Sequence, residues 1–319
     1  MQDIRQSQEY ATYMQKIGWL VEYVSTGGKT THVFIKKLPL VGSVIKIQRP
    51  NPPIPFDEIE LLARKYRALF VKIEPNRAAD HPSFQRSFEV AGSRPPFAPK
   101  ELRGGRQQAA DSYITDSWPL LPTKTIVIDL DKSEGKLLNS FDKTTRYQLR
   151  QAQKNNLQVQ IAQNTASSLS DIKQFSQLWH KNAQDKGFWI PFEKQLILLW
   201  QSFGHKAFLV TASDNNRQQL AGALILVHDQ TAYYLHAFST PTGRKQSAPT
   251  MVVWEAMKLA KAKNCRLFDF EGVYDPRYHK YTRKWLGFTS FKQGFGGQER
   301  VFPAPIIHRR PLWVKIAKL

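Results

Sequence analysis

The run Thr125-Ile126-Val127-Ile128-Asp129-Leu130, the polar stretch from Ser133 to Asn155 and the extended run from Leu157 to Ile161 decide the fold of this chain. The first run is almost continuously apolar and bounded by polar residues, the pattern of a strand covered on both faces. The stretch after it has helical spacing, and the third run returns to an extended pattern. Downstream the alternation continues with helices over Asp171 to Lys186 and Glu193 to Phe203 and a strand over Phe208 to Ala212. Leu220 to Val227 and Ala232 to Phe238 read as paired strands turned by His228-Asp229-Gln230. A helix from Thr250 to Lys261, a strand at Leu267 to Phe270, a basic helix near Tyr278 to Trp285 and a strand over Thr289 to Phe295 close the unit.

Upstream, the chain predicts a helix around Gln6 to Trp19, strands near Thr31 to Lys37 and Gly42 to Gln48, a helix from Asp57 to Leu69 and a strand over Phe70 to Glu74. From Asn76 to Thr123 the composition shifts to Pro, Gly, Arg and Ser, with Arg94-Pro95-Pro96 and Arg103-Gly104-Gly105-Arg106 as breakers, which reads as irregular excursion and linker. Helix and strand thus alternate twice, giving an α/β (α+β) class with two domains, 1–123 and 124–298, each a mixed sheet flanked by helices. The basic, Pro-rich tail over 299–319 is expected to pack back on the first domain, a membrane surface being the alternative for its weakly amphipathic end, Trp313 to Leu319.

With 319 residues, 41% of them apolar, and 8 Trp and 19 Phe, the chain can bury two cores and is not of disordered composition. One cysteine, Cys265, excludes an internal disulfide and a multi-thiolate metal site, and reads as a small core hydrophobe. The polar N-terminus and the lack of any stretch near ~18 continuous apolar residues point to a cytoplasmic protein. Lys and Arg outnumber Asp and Glu by 46 to 26, and the resulting charge of +20 favours polyanionic partners: RNA, anionic lipid surfaces or diphosphates.

Lys143, Arg146, Arg150 and Lys154 recur at spacings of three, four and four, which places them on one helix face as a basic stripe. Like charges so arranged repel, so an anionic ligand explains them, and a solvated face is the plainer alternative. Phe291 and Lys292 lie in an aromatic-polar alternation read as a late strand, with Phe291 inward and Lys292 outward, where an ammonium can stabilise a developing carbonyl oxyanion. Asp269 and Glu271, two apart on a strand, share one face and can act as base or orienter. His236 and Glu74 are further candidate substrate-binding residues on strands. Signatures for a P-loop, a dinucleotide fold, a zincin or a nucleophile elbow are absent, and the eight histidines show no metal-ligand spacing.

The segment Lys143-Thr144-Thr145-Arg146-Tyr147-Gln148-Leu149-Arg150-Gln151-Ala152-Gln153-Lys154-Asn155-Asn156-Leu157 resembles the K-x-x-R-x-x-I-R-x-A-x-K-x-G-[VL] stretch of the FemABX peptidoglycan bridge transferases. It follows a T-x-x-[IV]-D-L strand, as in that family, and the likeness continues through Phe175 to Pro191 with Trp179 and Lys186-Gly187, Asp269 to Gly272, and Phe291-Lys292 with the following glycines. Gly18-Trp19 and Phe70 to Pro75 match the family's first domain more weakly.

This resemblance implies two tandem GNAT-like acyltransferase domains and aminoacyl-tRNA-dependent transfer of an amino acid to a stem-peptide amine, with aminoacyl-tRNA as acyl donor and no other cofactor. Lys292 would hold the aminoacyl ester and its oxyanion, with Phe291 positioning it; the base is left among Glu74, Asp269 and the substrate itself. Members that use a soluble UDP-muramyl peptide hold its phosphates with a lysine and an arginine where this chain has Tyr23 and Ile190, so lipid II is the expected acceptor, with peripheral contact at the inner leaflet of the membrane and no stable DNA partner. Two other readings are an acyl-CoA N-acyltransferase, for which Thr242-Gly243-Arg244-Lys245-Gln246-Ser247-Ala248-Pro249 lacks the pyrophosphate turn, and a non-catalytic module that binds RNA or anionic surfaces.

Overall fold

The computed structural model describes residues 1–77, 112–165, 168–187 and 193–310. The chain divides into two units, Gln2–Thr123 with the segment from Val301 onward, and Lys124–Arg300 with Met1. Each carries one mixed sheet flanked by helices. The readings at Arg94-Pro95-Pro96, Arg103 to Arg106, Ile190, Pro191 and Trp313 to Leu319 lie outside the described residues.

In the N-terminal unit Ser7 caps α1 (Gln8–Lys16) by accepting from the Tyr10 N–H. The chain then enters β1 (Leu20–Thr26), which the sequence reading did not contain. Gly27 and Gly28, at φ of 58° and 74°, turn β1 into β2 (Lys29–Leu38), and Thr26 pairs with Lys29 across the turn. Two central residues with positive φ define the tight hairpin loop whose twist matches the strands, so Gly-Gly between β-branched runs was the overlooked signal.

β3 (Gly42–Gln48) and β4 (Ala68–Glu74) are parallel, joined through α2 (Phe56–Lys65). That helix stops before the expected Leu69 because Arg67 takes φ 50° and Ala68 already begins the strand. With β5 (Ile114–Thr115) and β13 (Ile306–Arg309), a strand from the chain's last described stretch, the sheet order is β1-β2-β3-β4-β13-β5. Ile306 pairs with Ile73 and Arg309 with Phe70, and Ile45, Ile47, Ile59, Val71, Ile73 and Ile306 share one core. The Glu60 carboxylate ties three segments together, accepting from Tyr113, His308 and Arg310.

The central unit begins with β6 (Lys124–Asp129), then α3 (Glu134–Ser140) and α4 (Lys143–Lys154). These are two helices because Asp142 is extended and its carboxylate accepts from the Thr145 N–H at 2.6 Å, an N-cap that starts the second. β7 (Gln158–Gln163), α5 (Leu169–Asp185), α6 (Glu193–Phe203), β8 (Ala207–Ser213), β9 (Gln219–His228) and β10 (Thr231–Ser239) follow. Then come α7 (Pro241–Lys245), α8 (Ala248–Ala262), β11 (Leu267–Gly272), α9 (His279–Thr282), α10 (Leu286–Gln293) and β12 (Gln298–Val301). The sheet runs β12-β6-β11-β10-β9-β8-β7, with β10 and β11 parallel. Phe141, Trp254, Phe268, Phe270 and Phe295 fill the core in edge-on or tilted contacts. Each such ring contributes about 2–3 kcal/mol by leaving water.

Candidate active site

β10 and β11 run side by side for only three residue pairs, Thr231 with Leu267, Ala232 with Phe268 and Tyr233 with Asp269. Beyond that point both are irregular: β10 shifts register against β9 between Tyr234 and His236, and β11 shifts against β6 between Asp269 and Gly272. The irregularity in β11 is Glu271, at φ 58°, a left-handed conformation that a non-glycine residue holds only when its surroundings enforce it. Asp269 supplies that enforcement. Its Oδ1 accepts the Glu271 N–H at 2.8 Å and the Thr125 hydroxyl at 2.5 Å. The expected shared face of Asp269 and Glu271 is therefore not formed, because the left-handed residue breaks the alternation on which the expectation rests. Burial, followed by the charge of Glu271, raises the Asp269 carboxyl to about 6.

Lys292 lies on α10, not on the expected strand over Thr289 to Phe295. Apolar and polar residues there alternate locally, but Thr289 bonds back through its hydroxyl to the Trp285 carbonyl and Ser290 to that of Leu286, contacts four residues apart that belong to a helix. Nor does Lys292 point outward. It is buried, and its Nζ donates to the carbonyls of Phe270 and Gly272, both at 2.7 Å. The peptide joining Gly272 to Val273 donates its N–H to the Lys124 carbonyl at the start of β6, and its own oxygen accepts from the Lys292 ammonium. Lys292 thus satisfies carbonyls of β11 beyond its pairing with β10. The Phe288 ring lies 4.8 Å from Nζ and the Tyr234 ring 6.0 Å. Burial lowers the amine to about 8, opposed by the negative charges of Glu271 and Asp269. An ammonium has three N–H donors, and among the described residues two of those of Lys292 find acceptors. Phe291 packs on Phe295 at 5.2 Å, so both members of the Phe-Lys pair turn inward, 100° apart on a helix rather than opposed on a strand.

Among the other candidates, His236 sits just past the β10 irregularity with its ring 4.7 Å from that of Trp179. Lys143, Arg150 and Lys154 are exposed along α4, whereas Thr145, Leu149 and Ala152 face the core. Arg146 is half-buried, and its Nη1 donates to the carbonyls of Phe141 and Asn139, which binds it to the end of α3. In the N-terminal unit, Glu74 is buried and its Oε1 accepts the N–H groups of Leu120 at 2.7 Å and Leu121 at 2.9 Å. The same unit places the Lys46 ammonium 4.3 Å from the Trp19 ring, and burial brings that amine to about 8. Cys265 is buried and its thiol is pushed up to about 11 by desolvation. Thr125, Phe288 and Tyr234 were not foreseen, because only the sheet order and the packing of α10 bring them to the end of β11.

The turn where an acyl-CoA enzyme presents backbone N–H groups to pyrophosphate is closed here into α7. The N–H groups of Gly243, Arg244, Gln246, Ser247, Thr250 and Met251 are all spent, on Thr240, Thr242, Arg244 and Ser247. No helix among the described residues is long and apolar enough to cross a membrane.

Two mixed-sheet units follow one another along the chain, the second with a parting parallel pair, an arrangement similar to that of tandem GNAT proteins. The tandem GNAT protein from the clavulanic acid biosynthesis pathway is similar at TM-score 0.51 and 11% identity, over 91% of this chain and 82% of that one. Residues 193–302 match the FemAB family model. The crystal structure of FemX is similar at TM-score 0.74 and 16% identity, covering 99% of this chain and 94% of that one. The FemABX resemblance read from the sequence stands on these two findings together. The C-terminal DUF2156 domain of a putative lysylphosphatidylglycerol synthetase from Agrobacterium fabrum is also similar in fold, at TM-score 0.58 and 13% identity over 99% and 91% of the two chains. No curated protein matches this sequence.

Proposed function

We propose that this protein transfers an amino acid from aminoacyl-tRNA to the stem-peptide amine of a peptidoglycan precursor, and that it takes lipid II in preference to the UDP-linked muramyl peptide. The observation that carries the reading is the Lys292 ammonium, held by two carbonyls at 2.7 Å where β10 and β11 part, inside the stretch that matches the FemAB family. A cation fixed in place before reaction stabilises a developing oxyanion with little reorganisation.

In this mechanism the remaining Lys292 N–H meets the carbonyl oxygen of the aminoacyl ester. The acceptor amine attacks the carbonyl carbon, the tetrahedral oxyanion leans on the ammonium, and collapse expels the ribose hydroxyl of the tRNA as the peptide bond forms. The amine's proton passes to the Asp269–Glu271 pair and from there to the departing ribose oxygen, and a carboxyl near 6 is suited to take and return it near neutral pH. Because the ester is already activated, the reaction asks mainly for placement, which supplies about 7–11 kcal/mol in favourable cases. The charge of +20 draws the protein toward tRNA and toward the anionic leaflet that holds lipid II.

The test is incubation with charged tRNAs and each purified acceptor, with mass detection of the product. Aminoacylated lipid II is expected, and the absence of any aminoacylated precursor with every charged tRNA refutes the reading.

A further inference from the structure

Three cations gather near the carboxyl end of β10, none of them in an ion pair among the described residues. Arg244 of α7 donates through Nη1 to the carbonyl of Ser239, the last residue of β10, at 2.6 Å and to its hydroxyl at 3.3 Å. Asn182 of α5 donates to the same carbonyl at 2.8 Å, which brings the end of that helix, where Lys186 follows, against the same strand end. Lys284, in the turn before α10, donates from Nζ to the Gly187 carbonyl at 2.9 Å. No carboxylate among the described residues pairs with Lys186, Arg244 or Lys284. Partial burial, and then the charge of Arg244, hold the Lys186 amine below its usual range.

Three like charges gathered on three separate elements repel one another, and a surface that needed only solubility would disperse them. An external anion removes the repulsion. Their place agrees with this, since ligands of open α/β sheets bind outside the carboxyl ends of parallel strands where neighbours part. Lys292 occupies the end of β11, and this cluster the end of the strand that parts from it. With the N–H groups of Gly243, Arg244, Gln246, Ser247, Thr250 and Met251 spent internally, side chains are the main donors left for an anion there. One guanidinium and two ammonium groups match a phosphate, which takes a forked donor together with point charges.

We propose that Lys186, Arg244 and Lys284 form a phosphate-binding site that seats a phosphate of one of the two substrates, beside the acyl-transfer centre at Lys292. The identity of those substrates rests on the aminoacyl-transfer reading; the site itself does not. Two sources offer the same chemistry: the diester near the 3′ end of the donor RNA and the diphosphate of the acceptor.

The experiment measures binding without transfer, using the trinucleotide CCA and, separately, UDP as probes for the full-length protein and its Lys186→Gln, Arg244→Gln and Lys284→Gln variants at several salt concentrations. Lys136→Gln, at an exposed lysine of the same unit, controls for net charge. Each cluster variant is expected to weaken one probe about five- to ten-fold and to flatten its salt dependence, by about 0.7 per contact for single-stranded RNA, with melting temperature maintained in the lysine variants. Loss confined to CCA assigns the phosphate to the donor, and loss confined to UDP assigns it to the acceptor. Unchanged affinity for both probes, or an equal loss in Lys136→Gln, overturns the proposal. A protein that shows the cluster effect yet transfers no amino acid keeps the site and loses the reaction, so the two failures are distinguishable.

Discussion

Replacing Lys292 by Met removes two hydrogen bonds and a buried charge at once, and the two losses act in opposite directions. The carbonyls of Phe270 and Gly272 lose their donor, at about 1–3 kcal/mol for each left unsatisfied. Against this, an amine lowered from 10.5 to about 8 carries about 3 kcal/mol of disfavoured charge, which methionine does not. The net change is therefore between about −1 and +3 kcal/mol of destabilisation, so the variant should fold with a melting temperature close to or below that of the parent. An outward strand lysine would have left stability untouched. Transfer should fall at least ten-fold, and by about 10²–10³ if the ammonium is a full oxyanion donor. The assay is kcat/KM with charged tRNA at saturating acceptor, with thermal melts of both proteins. Because the cation is present only below its pKa, parent activity should decline as pH rises through about 8, and the variant should lack that decline. The stability sign follows from the same value: a folded-state amine depressed below 10.5 contributes stability fully present above 10.5 and lost as pH falls through about 8, so the parent should weaken relative to the variant across that window. Parent-like turnover in Lys292→Met, or an unchanged alkaline limb, would refute the reasoning.

Asp269→Asn should abolish the acid limb of the rate near pH 6. Since the native carboxyl is raised from 3.8 to about 6, its contribution is present below 3.8 and lost as pH rises through about 6; denaturant melts at pH 4 to 7 should show the variant gaining on the parent. Gly297→Ala, at φ 95° with a Cβ that would lie 2.5 Å from Ile128 Cδ1 and 2.7 Å from the Val127 carbonyl, should cost about 2–4 kcal/mol in the same melts. On α4, Arg146→Gln should lower the melting temperature by freeing the Phe141 carbonyl, whereas neutralising Arg150 and Lys154 should spare stability and reduce the log-log salt slope for tRNA by about 0.7–0.9 per contact. An equal-concentration competition in detergent micelles should favour lipid II over the UDP-muramyl peptide by about ten-fold or more, a missing charge-assisted contact being worth about 1.5–3 kcal/mol; Tyr23, exposed on β1 with its ring 5.0 Å from that of His32, supplies no cation there.

The order of buried runs and amphipathic stretches was enough for the class of fold, because a side chain's apolar period reports its own element directly. Ile126 to Ile128 read as a covered strand, and Lys143 to Lys154 as a helix with Leu149 and Ala152 inward, from residues a few positions apart. The Gly27-Gly28 hairpin was equally local and was legible in principle. Ile306 to Arg309 was not, since four residues among prolines carry no period of their own and become a strand only by entering between β4 and β5.

The site separates the two kinds of information more sharply. Sequence by itself determined that Lys292 follows Phe291 in a stretch resembling the FemABX transferases, and that Asp269 and Glu271 end a strand. Tertiary structure alone decided that Lys292 is a helical, inward ammonium bound to Phe270 and Gly272, about twenty residues away, and that Asp269 holds Glu271 in a left-handed turn with help from Thr125, 144 positions earlier. The physical reason is that alternation of apolar residues says which way a side chain faces only while the backbone keeps one period. A left-handed residue or a short helix resets that period, and what enforces either is a hydrogen bond to a partner that only the folded chain brings near.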